Sequence, residues 1–300
     1  MGADSLLRVT AVMRRRILVG LIGRNIQASL SPALFAEAFA AADIDGFYHL
    51  IDADRLPAQL PELFGAIKAL GFAGANITYP FKQDILPLLD AVDPGAAQVG
   101  AINTVAIAQD GRTTGYNFDR HGWRDSFAET LGPDSARGKT VVLIGAGGAG
   151  RAVTFALMDL GVGTLVLHDL DLARAKALAA DVTRHHGAAR CHVTDDLEGD
   201  IATADGIVNA TQTGMSGFAG NPVPVAAIRP THWAADVIYT PANTEFLKAA
   251  AAKGARTLNG SGMVVHQAAA AFRCLTGETA DLARLYRAFE AGLATRDRAD

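Results

Sequence analysis

Short apolar runs and stretches of helical spacing alternate along the first part of this chain. The apolar runs predict strands at residues 17–22, 47–51 and 75–78 and a β-hairpin within 101–117. Apolar residues at helical spacing predict helices at 32–42, 56–70, 81–89 and 119–131. Strands that alternate with helices are typical of an open α/β sheet, so we expect the first part of the chain to form one.

The same alternation continues to the end of the chain. Apolar runs predict strands at residues 140–144, within 161–169, and at 191–193, 206–210 and 234–239. Helices are predicted at 151–160 and 170–187, between an N-cap at Asn243 and a stop at Gly254, and at 263–275 and 281–291. This second series predicts a doubly wound parallel sheet with helices on both faces.

A glycine pattern follows the strand at 140–144 immediately. Gly145, Gly147 and Gly150 have the spacing G-x-G-x-x-G, and the next strand ends at Asp169, about 24 residues after the first glycine. In such a unit the glycines allow a tight turn and a close backbone approach, and the helix N-terminus faces a pyrophosphate. Strand, glycines, helix, second strand and acid together predict a dinucleotide site.

Composition limits the class of protein. The chain has 300 residues, of which 50% are hydrophobic and 19% charged, which is enough for two globular domains. Its net charge of −4 gives no reason to expect nucleic acid or an anionic membrane as a partner. No apolar run reaches the length of a membrane-spanning helix. Cys191 and Cys274 cannot form a disulfide framework, so we expect a cytoplasmic protein.

Polar residues gather at predicted element ends in the first part of the chain. Ser31, just before Pro32, is interpreted as a helix cap, with Ser29 two residues earlier. Asn76 and Thr78 end a predicted strand, and Lys82 begins a predicted helix. Because the helix dipole disfavours a lysine at a helix start, Lys82 is a candidate for a functional role.

Other polar candidates have simpler explanations. Turn chemistry alone could explain Asn103, Asn117 and Asp119, which lie at strand and hairpin ends. The spacing of the histidines and the cysteine at His185, His186, Cys191 and His192 matches no common zinc pattern, so no metal site is expected.

In order along nearly the whole chain, seven motifs resemble the shikimate dehydrogenase family, particularly its quinate/shikimate dehydrogenase branch. They are Ser29 to Pro32, GANITYPFK (74–82), GAINT (100–104), GYNFD (115–119), GAGGAG (145–150), NATQTGM (209–215) with DVIYTPANTEFL (236–247), and GSGMVVHQAA (260–269).

The resemblance implies a substrate domain at 14–118, a Rossmann domain at 119–260, and terminal helices, 261–300, that return to the first domain. The active site would lie in the cleft between the domains. It implies that Lys82 and Asp119 are catalytic, with Lys82 moving the hydroxyl proton and Asp119 orienting it. The substrate residues implied are Ser29, Ser31, Asn76, Thr78, Asn103, Phe118, Tyr239 and Gln267.

The activity implied is reversible hydride transfer between a nicotinamide and the C3 hydroxyl of a small cyclic acid. Shikimate would give 3-dehydroshikimate, and quinate would give 3-dehydroquinate. The cofactor residues implied are Gly145, Gly147, Gly148, Ala149, Gly150, Asp169, Ala210, Thr211, Gly260 and Met263.

Two departures from the family pattern lead to further expectations. Where NADP-binding members have an Asn-Arg-Thr type signature, this chain has His168-Asp169-Leu170, which favours NAD over NADP. The family's Asn-Thr-Asp has become Asn117-Phe118-Asp119, and we interpret Phe118 as bordering the substrate ring. A dehydrogenase for a related acid, such as an aminoshikimate-pathway compound, and a non-catalytic dinucleotide sensor stay as alternatives. A homodimer is possible.

Overall fold

Two six-stranded sheets organise the molecule. The computed structural model describes residues 14–187 and 190–296. The strands fall into two separate sheets, and helices cover them. The predicted two-part α/β fold is therefore confirmed.

The first sheet is mixed. Its strands are β1 (Arg16–Gly23), β2 (Asp45–Asp52), β3 (Gly74–Ile77), β4 (Ala91–Val92), β5 (Thr104–Ile107) and β6 (Thr113–Tyr116). They lie in the order β2-β1-β3-β5-β6-β4, with β1 parallel to β2 and β3, and β5 antiparallel to β3 and β6. The predicted hairpin is confirmed as β5 and β6. The carboxyl ends of β1 and β3 point to one edge of this sheet, where the residues that follow them can meet.

Helices bury both faces of this sheet. The helices of this part of the chain are α1 (Ser31–Ala41), α2 (Leu60–Ala69), α3 (Pro94–Val99) and α4 (Phe118–Thr130). Helix α4 packs away from this sheet, with Trp123 and Phe127 in the core of the second sheet. Phe35 and Phe39 of α1 belong to the core on one face. Leu63 and Phe64 of α2 belong to the core on the other. Residues buried on both faces, such as Val19 and Ile22, explain why β1 reads as a continuous apolar run.

The second sheet is entirely parallel. Its strands are β7 (Thr140–Ile144), β8 (Thr164–His168), β9 (Cys191–Val193), β10 (Gly206–Asn209), β11 (Trp233–Asp236) and β12 (Arg256–Leu258). They lie in the order β12-β11-β10-β7-β8-β9. The chain adds β7, β8 and β9 in one direction across the sheet and β10, β11 and β12 in the opposite direction. The order therefore reverses between the neighbouring strands β7 and β10. In doubly wound sheets, ligands bind at this point, beyond the carboxyl ends of the strands.

The remaining helices cover the second sheet or return to the first. They are α5 (Gly148–Asp159), α6 (Leu172–His186), α7 (Leu197–Thr203), α8 (Glu245–Ala252), α9 (Ser261–Thr276) and α10 (Leu282–Arg296). Phe272 of α9 and Phe289 of α10 are buried in the core that α1 forms on the first sheet. No helix among residues 14–187 and 190–296 has both the length and the apolar character needed to span a membrane.

The predicted helix at 81–89 is wrong. The structure has turns there, with only a 3₁₀ turn at Leu86–Leu88. The carbonyl of Lys82 accepts a hydrogen bond from Ile102 N at 2.7 Å instead of from a following helical turn. Pro87 lacks an N–H and disfavours helical backbone at the residue before it. The dipole argument for Lys82 therefore does not apply.

Two predicted helix caps are also wrong. Ser31 is the first residue of α1 and makes no side-chain cap. Its backbone N–H instead donates to Ser29 Oγ at 3.2 Å. The cap of α8 is Thr244, one residue beyond Asn243, and its hydroxyl accepts from Leu247 N. The pattern did not predict the short elements α3, α7, β4 and β12, which fall below the length at which periodicity is readable.

Candidate active site

A cleft of about 360 Å³ lies between the two sheets and collects residues from distant parts of the chain. Eleven of the predicted site residues line it: Ser29, Ser31, Asn76, Thr78, Lys82, Asn103, Asp119, Ala149, Tyr239, Met263 and Gln267. They come from the carboxyl edge of the first sheet, the start of α5, the end of β11 and helix α9. The cleft therefore joins the first domain to the glycine pattern.

Lys82 and Asp119 form an ion pair in this cleft. Lys82 Nζ donates to Asp119 Oδ2 at 2.6 Å, and the two side chains are 22% and 3% exposed. Asp119 lies in the first turn of α4, where the helix dipole favours an acid. Asn117 caps that helix, because its Oδ1 accepts from Arg120 N and its Nδ2 donates to Ala101 O. The cap fixes the aspartate beside the lysine.

Asn103 and Gln267 stand next to this pair. Asn103 Nδ2 donates to Gln267 Oε1 at 2.9 Å, across 164 positions of sequence. The contact depends on the close approach of α4 to α9. A Cβ on Gly122 would lie 2.7 Å from the carbonyl oxygen of Met263 and 2.9 Å from Gln267 N, so any larger residue would force the helices apart. Glycine at position 122 thus keeps Gln267 within hydrogen-bond distance of Asn103.

Asn76 is held in a hydrogen-bond chain on the sheet. Tyr48 OH donates to Asn76 Oδ1 at 2.8 Å, and Asn76 Nδ2 donates to Thr104 Oγ1 at 2.9 Å. Burial raises the pKa of Tyr48, so its hydroxyl stays protonated and remains a donor. Sequence reasoning missed Tyr48, although a tyrosine on a buried strand needs a hydrogen-bond partner for its hydroxyl.

The glycine-rich loop fits a pyrophosphate. A Cβ on Gly150 would lie 1.8 Å from the carbonyl oxygen of Gly145, so the helix packs on the loop as no other residue would allow. Helix α5 has no side-chain cap at its start, which leaves its first N–H groups open to an anion. Gly147 is the N-cap residue, and Gly148 and Ala149 form the first helical positions. The backbone alone therefore provides an anion site.

Asp169 is fixed against this loop at the end of β8. Its Oδ2 accepts from Ala146 N at 2.6 Å, and its Oδ1 accepts from Asp171 N at 2.8 Å. Arg174 is the nearest cation, with Nη1 3.9 Å away from Oδ2. The Asp169 side chain is 9% exposed. Its carboxylate thus lies beside the loop that would bind the dinucleotide, with backbone N–H groups as its closest partners.

Ala210 and Thr211 directly follow the central strand β10 of the second sheet, and Gly260 follows its edge strand β12. Thr211 Oγ1 donates to Asn209 Oδ1, and Asn209 Nδ2 donates to Asp236 Oδ1 at 3.1 Å. A Cβ on Gly260 would lie 2.1 Å from the carbonyl oxygen of Val237, so the start of α9 packs tightly on the end of β11. None of these three residues lines the cleft itself.

Asp236 is a buried carboxylate with no cation in ion-pair contact among the described residues. Thr244 Oγ1 donates to its Oδ2 at 2.8 Å, and Ile238 N donates to its Oδ1 at 3.0 Å. Burial raises the pKa of Asp236 to about 6, and the hydrogen bonds only partly oppose this rise. Sequence reasoning did not single out this residue.

The structure does not place Phe118 at the cleft. Its ring stacks on Tyr116, with centroids 5.6 Å apart and planes 6° apart. Both rings line a separate cavity of about 1070 Å³ on another side of α4, together with His121. Only its backbone reaches the site, where Phe118 N donates to Asn103 Oδ1 at 2.9 Å. The expectation that its ring borders the substrate is corrected, because the side chains of consecutive helical residues point in different directions.

Two arginines in the cleft were missed in the sequence. Arg24 pairs with Asp54 at 3.1 Å. Arg296, in the last turn of α10, lines the cleft from the far end of the chain. No motif or spacing marks either position, and only the return of α10 to the first domain brings Arg296 there.

Comparisons with known proteins fit this geometry. The model of the shikimate dehydrogenase substrate-binding domain matches residues 21–105. A quinate/shikimate dehydrogenase (NAD(+)) of Corynebacterium efficiens is 45% identical over 91% of this chain and 97% of its own length. A shikimate dehydrogenase (NADP(+)) of Streptomyces avermitilis is 45% identical over 89% of this chain and 93% of its own length.

A solved structure matches over almost all of both chains. It is the quinate dehydrogenase from Corynebacterium glutamicum in complex with NAD, which is 42% identical. Its TM-score to this chain is 0.88, and the match covers 93% of this chain and 100% of that one. Similarity in sequence and in fold thus extends across both domains and the cleft.

Proposed function

The chain belongs to the shikimate dehydrogenase family, whose members here are oxidoreductases acting on CH–OH groups, and we propose that it is an NAD-dependent quinate/shikimate dehydrogenase. It transfers hydride reversibly between the nicotinamide and the C3 position of quinate or shikimate. The products of oxidation are 3-dehydroquinate and 3-dehydroshikimate.

One observation carries this proposal. The Lys82–Asp119 pair lies at the point where the substrate cleft meets the nucleotide loop. A Cβ on Gly148 would lie 3.8 Å from Lys82 Cδ, and Ala149 lines the same cleft. A proton-transfer pair next to a dinucleotide loop is the arrangement that hydride transfer to or from an alcohol requires.

The side chains divide the chemistry between them. When bound, the nicotinamide accepts or supplies the hydride. During reduction, the Lys82 ammonium group gives a proton to the carbonyl oxygen and becomes a neutral amine; during oxidation, the neutral amine of Lys82 takes the hydroxyl proton and becomes the ammonium group again. Asp119 holds the ammonium group in place through the 2.6 Å contact. Asn103 and Gln267, joined at 2.9 Å, orient the neighbouring hydroxyls of the ring.

The preference for NAD rests on Asp169. Its carboxylate is beside the loop and can accept hydrogen bonds from the ribose hydroxyls of the adenosine half. A 2′-phosphate would meet a like charge there. Arg174, 3.9 Å away and 55% exposed, offsets this repulsion only in part, because it also lies 3.5 Å from Asp171.

A substrate and cofactor screen tests the function. Quinate, shikimate and an aminoshikimate-type acid are each combined with NAD and with NADP, and NADH or NADPH formation is followed by absorbance. We expect turnover with quinate and shikimate, and a higher kcat/KM with NAD. Lys82→Ala protein purified in the same way measures the background from host dehydrogenases.

Other results of this screen would support one of the alternative functions. Turnover restricted to the amino compound would indicate the related dehydrogenase. Binding of NAD in calorimetry with no turnover of any acid would indicate a dinucleotide sensor. Sedimentation of the same protein tests the proposed homodimer.

A further inference from the structure

The side chains that line the cleft include more positive than negative charges. Among the described residues that line it, Arg24, Lys82 and Arg296 are cations and Asp119 is the single acid. Asp119 neutralises Lys82 at 2.6 Å, and Asp54, outside the cleft, neutralises Arg24 at 3.1 Å. Arg296 has no carboxylate within 4.0 Å in residues 14–187 and 190–296. Within the described residues, Arg296 is therefore a cation of the cleft without a carboxylate partner.

The neutral partners of Arg296 locate this charge. Its Nη1 donates to the carbonyl oxygen of Ala28 at 3.0 Å, and its Nη2 donates to Thr240 Oγ1. Ala28 is next to Ser29 in the chain, and Thr240 is next to Tyr239. The guanidinium group thus lies between the serine segment of the first domain and the tyrosine segment that follows β11.

Ser29, Ser31 and Tyr239 offer only neutral hydroxyls. Quinate and shikimate each carry a carboxylate, and a carboxylate moved out of water is stabilised most by a charge-assisted hydrogen bond. An arginine suits this task because its planar fork matches a carboxylate and stays protonated.

Resting on the function proposed above, we propose that Arg296 is the cation that pairs with the carboxylate of the substrate. The guanidinium group exchanges a contact with a neutral carbonyl or hydroxyl for one with the carboxylate. The hydroxyls of Ser29 and Ser31, which line the same cleft, complete the site. Helix α10 then has a role in specificity in addition to its packing role.

Steady-state kinetics and calorimetry of Arg296→Met test this role. We expect KM and Kd for quinate and shikimate to rise about 10- to 100-fold, since a hydrogen bond to a charged group is at stake. The kcat and the KM for NAD should change little, because Lys82 and the nucleotide loop are untouched. Arg296→Lys keeps the charge but loses the planar guanidinium group, so its KM and Kd for the acids should lie between those of wild type and Arg296→Met.

Methyl esters of the same acids separate recognition of charge from packing. Wild-type protein should prefer the acid to its ester, and Arg296→Met should lose most of that preference. Arg287→Met is the matched control, since Arg287 is exposed on the same helix and does not line the cleft. It should behave as wild type in every assay.

The outcomes distinguish the two proposals. Wild-type protein that neither turns over nor binds the acids would overturn both of them. Active wild type with an unchanged acid-to-ester preference in Arg296→Met would overturn the role of Arg296 and leave the function intact. An equal loss for acid and ester, with a lower Tm, would show that Arg296 only ties Ala28 to Thr240.

Discussion

The substrate half of the molecule, which is the side that carries the Lys82–Asp119 pair, and the nucleotide half, which carries the second sheet, hold their buried aspartates differently. In the substrate half, Asp119 is 2% exposed and has a lysine at 2.6 Å. In the nucleotide half, Asp236 is fully buried, and Asp169 is 9% exposed at its side chain. Both of these carboxylates accept hydrogen bonds from neutral donors, and the nearest cation, Arg174, is 3.9 Å from Asp169.

This contrast explains how one residue type serves three purposes. A carboxylate paired with a lysine forms a unit that can hold and move a proton. A carboxylate held mainly by backbone N–H groups keeps a charge that is only partly compensated and can distinguish a ribose hydroxyl from a phosphate. A carboxylate surrounded by neutral groups and fully buried has a raised pKa, which makes stability depend on pH.

Removing the cation from the substrate half should have the largest effect. Lys82→Ala leaves Asp119 as a buried charge without its partner and removes the proton carrier. We expect kcat to fall by about 100- to 10,000-fold, the range of a positioned acid or base, while Kd for NAD changes little. Lys68→Ala, at an exposed lysine of α2, is the control and should keep full activity. Retention of most turnover by Lys82→Ala would exclude the lysine from the mechanism.

Removing the charge of Asp169 should weaken the cofactor preference. At about 4 Å and an effective dielectric constant near 20, a pair of like charges costs about 4 kcal/mol before salt screening. Asp169→Asn keeps an acceptor for Ala146 N, and we expect the NAD-to-NADP ratio of kcat/KM to fall by about 10- to 1000-fold. Asp171→Asn, which preserves the cap of α6, should leave the ratio unchanged. A wild-type ratio near one would contradict the proposed role of Asp169.

Asp236 should make folding stability depend on pH. Its pKa of about 6 lies above the ordinary value of 3.8, so its contribution is complete below about pH 4 and is lost as the pH rises through 6. Relative to Asp236→Asn, the free energy of unfolding of wild type should fall by about 2 kcal/mol between pH 4 and pH 7. Urea denaturation at several pH values measures this difference. The exposed Asp134→Asn should show no such trend, and a constant difference for Asp236→Asn would contradict the prediction.

The nucleotide half could be predicted more completely from the sequence than the substrate half. Its strands are continuous apolar runs, and Gly145, Gly147 and Gly150 mark the loop, because a parallel sheet buried on both faces leaves a local signal. The substrate half depends on contacts over long distances. Lys82 lies in a turn held by Ile102 N, and Gln267 reaches Asn103 through the crossing of α4 and α9.

Because these contacts join distant parts of the chain, local sequence patterns could not predict several residues of the site. Pro87 breaks a stretch that otherwise has helical spacing, and Arg296 reaches the cleft only through the packing of α10. The family motifs supplied Tyr239 and Gln267, which periodicity did not. The direction of a side chain such as Phe118 depends on where its helix begins, and that boundary is the least certain part of any sequence pattern.

Substitution of Phe118 should have the smallest effect on activity. This residue lies between the cap Asn117 and Asp119 in the sequence, but its ring stacks on Tyr116 away from the cleft, and any residue except proline can supply its backbone N–H. Phe118→Thr should therefore change the quinate-to-shikimate ratio of kcat/KM by less than about threefold. Loss of the aromatic pair, worth about 0.5 to 1.5 kcal/mol, should lower Tm by about 1 to 2 °C, and Tyr116→Thr should match it. A tenfold change of the ratio in Phe118→Thr alone would show that the ring, despite its position, acts on the substrate.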